Sequence, residues 1–382
     1  MAQNSFIKLS KACFSDDEKQ ALLTVLEDDG YLGMGKHVMM FEKELEAFFS
    51  DSVKVACVNT GTSALHLAVQ ACGIKAGDEV LIPSITYIAS FQAVLATGAK
   101  PVACDIDFET GCLSVSATKS KITPNTKAIM YVHYAGGLGD RDAIFQLARE
   151  YNLRVIEDAA HSFGGYLNEA RIGAQGDITC FSFDSIKNIT CGEGGAIVTG
   201  DEEVLSKVQD LRLLGVEKDT KARFEGKRSW DFDVKEQGWR YHMSNLNAGL
   251  GRAQLKKIET FSKKRRELCF LYKNSLSGYP VSFLKMILEK AVPHIYPILV
   301  DESVRDDLKN YLAQNNIETG IHYKPNHLLT LFKNDECPIA ESFYKSILTL
   351  PLHCNLSNED VVKVCDTIKN FFTKITTTPP HF

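Results

Sequence analysis

Hydrophobic positions near the start of the chain repeat at helical spacing. Ser15, followed by Glu18 and then by Ala21, Leu22, Val25 and Leu26, reads as a capping box opening a helix that ends at Gly30. Val38, Phe41, Leu45 and Phe48 mark a second helix. From about residue 53 the period changes. The β-rich runs Val53–Val58, Glu79–Ile82, Lys127–Val132 and Arg154–Glu157 alternate with the helical stretches Ser63–Ala71, Tyr87–Ala96 and Arg141–Tyr151. This alternation predicts an α/β architecture, a largely parallel sheet with helices on both faces, whose ligand sits beyond the carboxyl ends of the strands. Ile178–Phe183 and Ala196–Thr199 are two further strand candidates, followed by a helix over Val204–Leu214. Glu217–Gln237 is strongly charged and poorly periodic, as expected of an exposed insertion. A helical pattern over Ser244–Ile258 leads into a smaller C-terminal domain, so two domains are expected, 1–259 and 260–382.

Composition narrows the class. With 45% hydrophobic and 24% charged residues, the 382-residue chain has the balance of a globular protein rather than a disordered one. Its 43 basic and 48 acidic residues give a net charge of −5, without the basic field that nucleic-acid binding needs, so no nucleic-acid partner is expected. No run approaches the roughly 18 apolar residues of a membrane span, and the start lacks the apolar core of a signal peptide; no membrane partner and a cytoplasmic location are the expectation. The 11 cysteines sit singly, with no Cys/His clustering at zinc spacing, and no metal site is expected.

Three segments carry chemistry, each just after a predicted strand. In Asn59-Thr60-Gly61-Thr62-Ser63, the glycine lets the backbone approach an anion and the new helix offers free N–H groups to a phosphate; a plain helix cap by Thr60 or Thr62 explains the segment equally well. In Val155-Ile156-Glu157-Asp158-Ala159-Ala160-His161, Asp158 ends an apolar strand at the ligand edge, where a carboxylate can hold a protonated pyridine nitrogen; a loop acid capping the next helix is the simpler alternative. In the third segment, Phe181 to Gly195, Lys187 lies between a strand and a Gly-Glu-Gly-Gly turn, where desolvation makes an amine a usable nucleophile. A lone lysine is ordinarily a solvated surface charge, and only this neighbourhood argues otherwise.

The ordered set NTGTSALHLA, PSITYIAS, VIEDAAHSFG, FSFDSIKNITCGEGG and GWRYHMSNLNAGLGRAQL resembles the DegT/DnrJ/StrS-type sugar aminotransferases of the aspartate-aminotransferase superfamily. The resemblance spans nearly the whole chain, since GYLGMGKHVMMFEKELEAFF, IHYKPNHL and LTLPLH also match. It implies a pyridoxal 5'-phosphate enzyme of fold type I, with a mixed, mainly parallel sheet in the large domain and an α+β small domain. Lys187 is then the Schiff-base lysine, Asp158 the partner of the pyridine nitrogen, Tyr87 the ring that stacks on the cofactor, and His161 a neighbour of its other side or phenolic oxygen. Ser182, Gly61, Thr62 and Ser63 match the phosphate cup. The family's homodimers with shared sites imply that Arg240 reaches the cofactor phosphate of the neighbouring subunit.

The chain also departs from the family, with Asp184 for a histidine or aromatic, Arg240 for asparagine and His242 for arginine. Asp184, His322, Tyr323 and His327 are substrate-binding candidates, as are Arg223 and Arg228, whose charges suit the diphosphate of a sugar nucleotide. KNIT-x-GEGG resembles members acting at sugar carbon 4, rather than the carbon-3 pattern of KNLG followed by GDGG or GDAG. The implied substrates are a nucleotide-linked keto sugar and L-glutamate, and the product an amino sugar for a surface polysaccharide such as the O-antigen of lipopolysaccharide. A deoxygenating branch carries histidine in place of the lysine, which Lys187 argues against. A non-catalytic regulatory protein on this fold is the remaining alternative.

Overall fold

A computed structural model describes residues 6–28, 30–217, 219–225, 227, 231–333 and 335–377. Helix α1 (Asp16–Glu27) opens on the expected capping box: the Ser15 hydroxyl accepts from Asp17 N–H at 3.2 Å while Glu18 accepts from Ser15 N–H at 2.7 Å. Helix α2 (Lys36–Phe49) buries Val38, Phe41, Leu45 and Phe49 along one stripe.

The large sheet contains β1 (Lys54–Val58), β2 (Glu79–Pro83), β3 (Lys100–Cys104), β4 (Thr126–Val132) and β5 (Arg154–Asp158); after a small hairpin, β6 (Tyr166–Leu167) and β7 (Ala170–Arg171), come β8 (Ile178–Ser182) and β9 (Gly195–Thr199). Its order is β1-β9-β8-β5-β4-β2-β3, with only β9 running against its neighbours. Helices α3 (Gly61–Ala71), α4 (Ala89–Leu95), α5 (Val115–Ser120), α6 (Arg141–Glu150) and α7 (Glu202–Leu211) connect or flank these strands. Both faces are covered. In β1, Val55 and Cys57 join α2 in one core with Phe163, Phe181 and Phe183, whereas Ala56 and Val58 face a second core with Leu65, Leu67 and Phe91. Each such ring or branched side chain removed from water contributes about 1.5–3 kcal/mol, before the entropy of ordering is charged.

The reading by periodicity misses β3. Its sequence, Lys-Pro-Val-Ala-Cys, has a proline at the second position that cannot donate to a ladder, and it occupies the sheet edge, where that loss is tolerated. The charged segment is not wholly irregular either, since it holds a short helix, α8 (Asp219–Phe224), with Asp219 and Thr220 buried.

Helices α9 (Asn245–Leu255) and α10 (Ile258–Ser275) lead to the smaller α+β unit, in which antiparallel β10 (Ser282–Phe283), β11 (Tyr296–Leu299) and β12 (Ile347–Leu350) pack with α11 (Glu302–Gln314), α12 (Pro338–Ser346) and α13 (Asn358–Thr377). The expected division at 259/260 falls at the start of α10, but the first described residues cross it. Ile7 pairs with Ile317 and is buried in the core of Leu268, Ile298, Leu308 and Val364. No described helix is long and apolar enough to cross a membrane. Among the described residues, no group of three or more His, Cys, Asp or Glu could hold a metal ion.

Candidate active site

A cavity of about 530 Å³ opens beyond the carboxyl ends of β2, β5 and β8, against the loop 322–323 of the smaller domain. A larger hollow of about 810 Å³, beside Asp107, Lys119 and Ile287, lacks the paired lysine and strand-end carboxylate that mark the smaller one.

Lys187 lines the smaller cavity from the turn after β8. Its N–H donates to Asp184 O at 3.1 Å, and the next residue, Asn188, is pinned by donation to Phe163 O and Val292 O, both at 2.9 Å. Burial is the main reason its amine is pushed down to about 8; Asp158 and Asp184 pull the other way, and Arg265 adds repulsion. Arg265 gives Nη1 to the carbonyls of Pro293, His294 and Leu352.

Asp158 ends β5 and accepts from Ser90 Oγ at 2.8 Å and from Ala160 N–H at 3.2 Å. Glu157, one residue earlier, points to the opposite face, as strand alternation requires. There it accepts from His133 at 2.8 Å and from Arg141 at 2.5 and 2.9 Å. Burial alone would raise the Glu157 carboxyl, but these donors hold it at about 2. The two acids therefore divide the work, Glu157 joining β5 to α6 and Asp158 facing the cavity.

Three imidazoles line the same space. His161 accepts from Ala135 N–H through Nδ1 at 3.4 Å, which assigns its proton to Nε2, 3.1 Å from Tyr323 Oη. The Tyr323 hydroxyl is then left with its own proton to donate. Burial, reinforced by the charge of Lys187, pushes His161 and His294 well below the usual imidazole range, and His322 down to about 4. All three are neutral at pH 7. Tyr87, 58% exposed, stands at the rim with its ring 5.8 Å from that of Tyr323.

Gly61 and Thr62, which open α3, and Ser182 at the end of β8 also line the cavity. Thr60 caps α3 by accepting from Ser63 N–H at 3.0 Å, as one sequence reading of this turn expects, and the same turn lines the cavity. A Cβ on Gly61 would lie 2.7 Å from Ser182 Cβ, and one on Gly195 only 2.5 Å from Thr60 O, so both close approaches require glycine.

Other expected site residues lie elsewhere. Ser63 is buried with its hydroxyl committed to Asn59 Oδ1 at 2.7 Å, so it is part of the cap and not of the cavity wall. His327 is likewise withdrawn, spanning Ser84 Oγ at 2.6 Å and Glu341 Oε1 at 3.2 Å. Arg223 is paired with Asp219 at 2.6 Å and does not line the cavity. Arg240 is exposed and outside this chain's own cavity, and beside it His242 is kept down at about 4 by burial and by Arg240, Arg223 and Arg212. Arg228 lies outside the described residues. Asp184, His322 and Tyr323 do line the cavity. Sequence reading overlooked Glu193 and His294, which also line it, and Ser90 behind Asp158. Glu193 and Ser90 lie inside quoted motifs, whereas nothing in the local sequence marks His294.

A lysine with a depressed pKa, a strand-end carboxylate across the cavity and a glycine-shaped helix start together fit a pyridine aldehyde carrying a phosphate. Residues 13–369 match the DegT/DnrJ/EryC1/StrS aminotransferase family. The chain is 36% identical to GDP-perosamine synthase of Escherichia coli O157:H7, over 96% of this chain and 99% of that one. Among solved structures it is similar to Helicobacter pylori PseC, an aminotransferase involved in the biosynthesis of pseudoaminic acid, with a TM-score of 0.88 and 27% identity over 97% of this chain and 100% of the other. Bacillus subtilis NtdA with bound PMP matches with a TM-score of 0.81 and 28% identity, over 95% of this chain and 86% of the other. With the site and the comparisons agreeing, the chain belongs to the DegT/DnrJ/EryC1/StrS family and is a pyridoxal-phosphate-dependent aminotransferase of amino-sugar biosynthesis.

Proposed function

We propose that the protein moves an amino group from L-glutamate to a nucleotide-linked 4-keto-6-deoxyhexose, as a cytoplasmic homodimer with shared active sites, and that the amino sugar enters a surface polysaccharide such as an O-antigen. The observation that carries this reading is the opposition of Lys187 and Asp158 across one cavity, with the KNIT-x-GEGG segment shaping its lysine side. The 36% identity to GDP-perosamine synthase supports a nucleotide-linked sugar.

Bound pyridoxal phosphate supplies an aldehyde for amine exchange and a ring that withdraws electrons from the reacting carbon. Gly61, Thr62 and Ser182 hold its phosphate, and Asp158 keeps the ring nitrogen protonated. Lys187, at about 8, passes between amine and ammonium near neutral pH, so its Nζ can take a proton from one substrate carbon and return it elsewhere. Tyr323, whose hydroxyl faces His161 Nε2–H, donates to the oxygen of the sugar ketone. Asp184 and His322 meet the sugar hydroxyls. Arg240, exposed in the single chain, serves the phosphate in the site of a second copy.

The test incubates the purified enzyme with L-glutamate and a panel of dTDP-, UDP- and GDP-linked 4-keto and 3-keto sugars, with product masses read directly, and borohydride reduction locates the cofactor. Expected are 2-oxoglutarate, an amino sugar from a 4-keto substrate, and label on the Lys187 peptide. Turnover of 3-keto sugars alone would move the chemistry to carbon 3, and label on another lysine would overturn the site.

A further inference from the structure

Behind Asp158 runs a chain of hydrogen bonds that the transamination scheme does not use. Ser90, fully buried on α4, donates its only hydroxyl proton to Asp158 Oδ2 at 2.8 Å. Thr86 Oγ1 lies 2.9 Å from Ser90 Oγ. Because the Ser90 proton is spent on the carboxylate, Thr86 is the donor between the two hydroxyls. The backbone of the loop that carries Thr86 is held from the smaller domain, where Asn326 Nδ2 donates to Thr86 O at 2.8 Å and to Ser84 O at 3.1 Å, and Asn326 N–H donates to Ser84 O at 2.9 Å. Asn326 is buried as well, and beside it His327 bonds the Ser84 hydroxyl.

The spacing has a simple origin. Thr86 lies in the loop that leaves β2 and Ser90 in the first turn of α4, and the loop brings the two hydroxyls together beside the carboxylate at the end of β5. Asp158 thus has a donor on each oxygen, Ser90 on Oδ2 and Ala160 N–H on Oδ1, and cannot rotate about its terminal torsion without breaking one. Satisfying buried hydroxyls would need only nearby carbonyls; here the Thr86 and Ser90 hydroxyl protons are both directed towards the carboxylate, while Asn326 holds the backbone carbonyls of the loop that carries Thr86.

We propose that Ser90, oriented by Thr86, is a positioning residue that holds the Asp158 carboxylate plane against the cofactor's ring nitrogen, and that Asn326 ties this setting to the smaller domain. The proposal rests on the reading of Asp158 given above. It is tested by a double-mutant cycle in the holoenzyme, with Ser90→Ala, Asp158→Asn and both together. Ser90→Ala is expected to slow both half-reactions roughly 10- to 100-fold, as a slight misplacement does, to shift the visible absorption of bound cofactor, and to loosen cofactor retention on dialysis. Asp158→Asn costs more, and the double variant is no slower than Asp158→Asn alone, because Ser90 acts only through the carboxylate. Multiplying losses, or normal turnover and spectrum in Ser90→Ala, would overturn the positioning role. If Ser90→Ala does not fold, Thr86→Val takes its place, with a smaller loss that vanishes in the Asp158→Asn background. Borohydride labelling of the unmodified enzyme separates the two failures, since unlabelled Lys187 defeats the site itself.

Discussion

Lys187 is the residue whose chemistry depends most on its surroundings. An amine near the ordinary lysine value would be almost wholly charged at pH 7, whereas burial brings this one down to about 8. In the cofactor-free enzyme the reactive, neutral fraction therefore grows as pH rises through about 8 and levels off above it. The rate of borohydride-trapped cofactor capture is expected to follow that curve. A midpoint above pH 10 would mean that the amine is solvated. The sign for stability is the same. Between the folded value and the unfolded value of about 10.4 the unfolded chain binds the extra proton, so this one group favours the native state progressively more as pH rises across that window, and makes no difference to the pH dependence below it.

At the scale of elements, the cofactor site is a set of close backbone approaches, and α3 shows their consequence. The Cβ of Gly61→Ala would meet Ser182 Cβ at 2.7 Å and Cα at 3.2 Å, and backbone cannot swing aside as a side chain does. Such overpacking costs about 1–3 kcal/mol. The variant is expected to unfold at lower denaturant and, because the added methyl pushes apart the α3 start and Ser182 that line the cavity, to bind pyridoxal phosphate about tenfold more weakly, a difference of about 1.4 kcal/mol. Unchanged affinity in a fluorescence titration would remove α3 from the phosphate end. Sequence made these elements legible because their signals are local. The capping box of Ser15 and Glu18, the strand ends at Val58 and Asp158 and the lysine turn all appear within a few residues of where they were expected. Edge strand β3 was illegible for the opposite reason, its proline being tolerated because of its place at the edge of the sheet.

For the molecule as a whole, the exposure of Arg240 gives the shared-site proposal a direct test. In a mixture of Lys187→Ala and Arg240→Ala chains, a dimer with one of each rebuilds one complete site from the intact lysine of one copy and the intact arginine of the other. Random reassortment then restores about a quarter of the unmodified activity, although each variant alone is nearly inactive. Absence of any recovery would place Arg240 outside the neighbour's site.

The sequence alone determined the α/β class, the family and most of the order of the elements, and it singled out Lys187, Asp158, Gly61 and Ser182 as candidates for the site, because each element or motif depends on a run of neighbouring residues whose spacing sets the backbone. Tertiary structure decided which side chains of those motifs reach the cavity. It gave His327 to Ser84 and Glu341, and brought in His294, to which no motif pointed. It also sent the first described residues to the core of the smaller domain. The physical reason is that a buried polar side chain goes wherever its hydrogen bonds can be satisfied, and its partner lies 22 residues away for Thr179 and Glu157, 243 for Ser84 and His327, a distance over which local pattern carries no information.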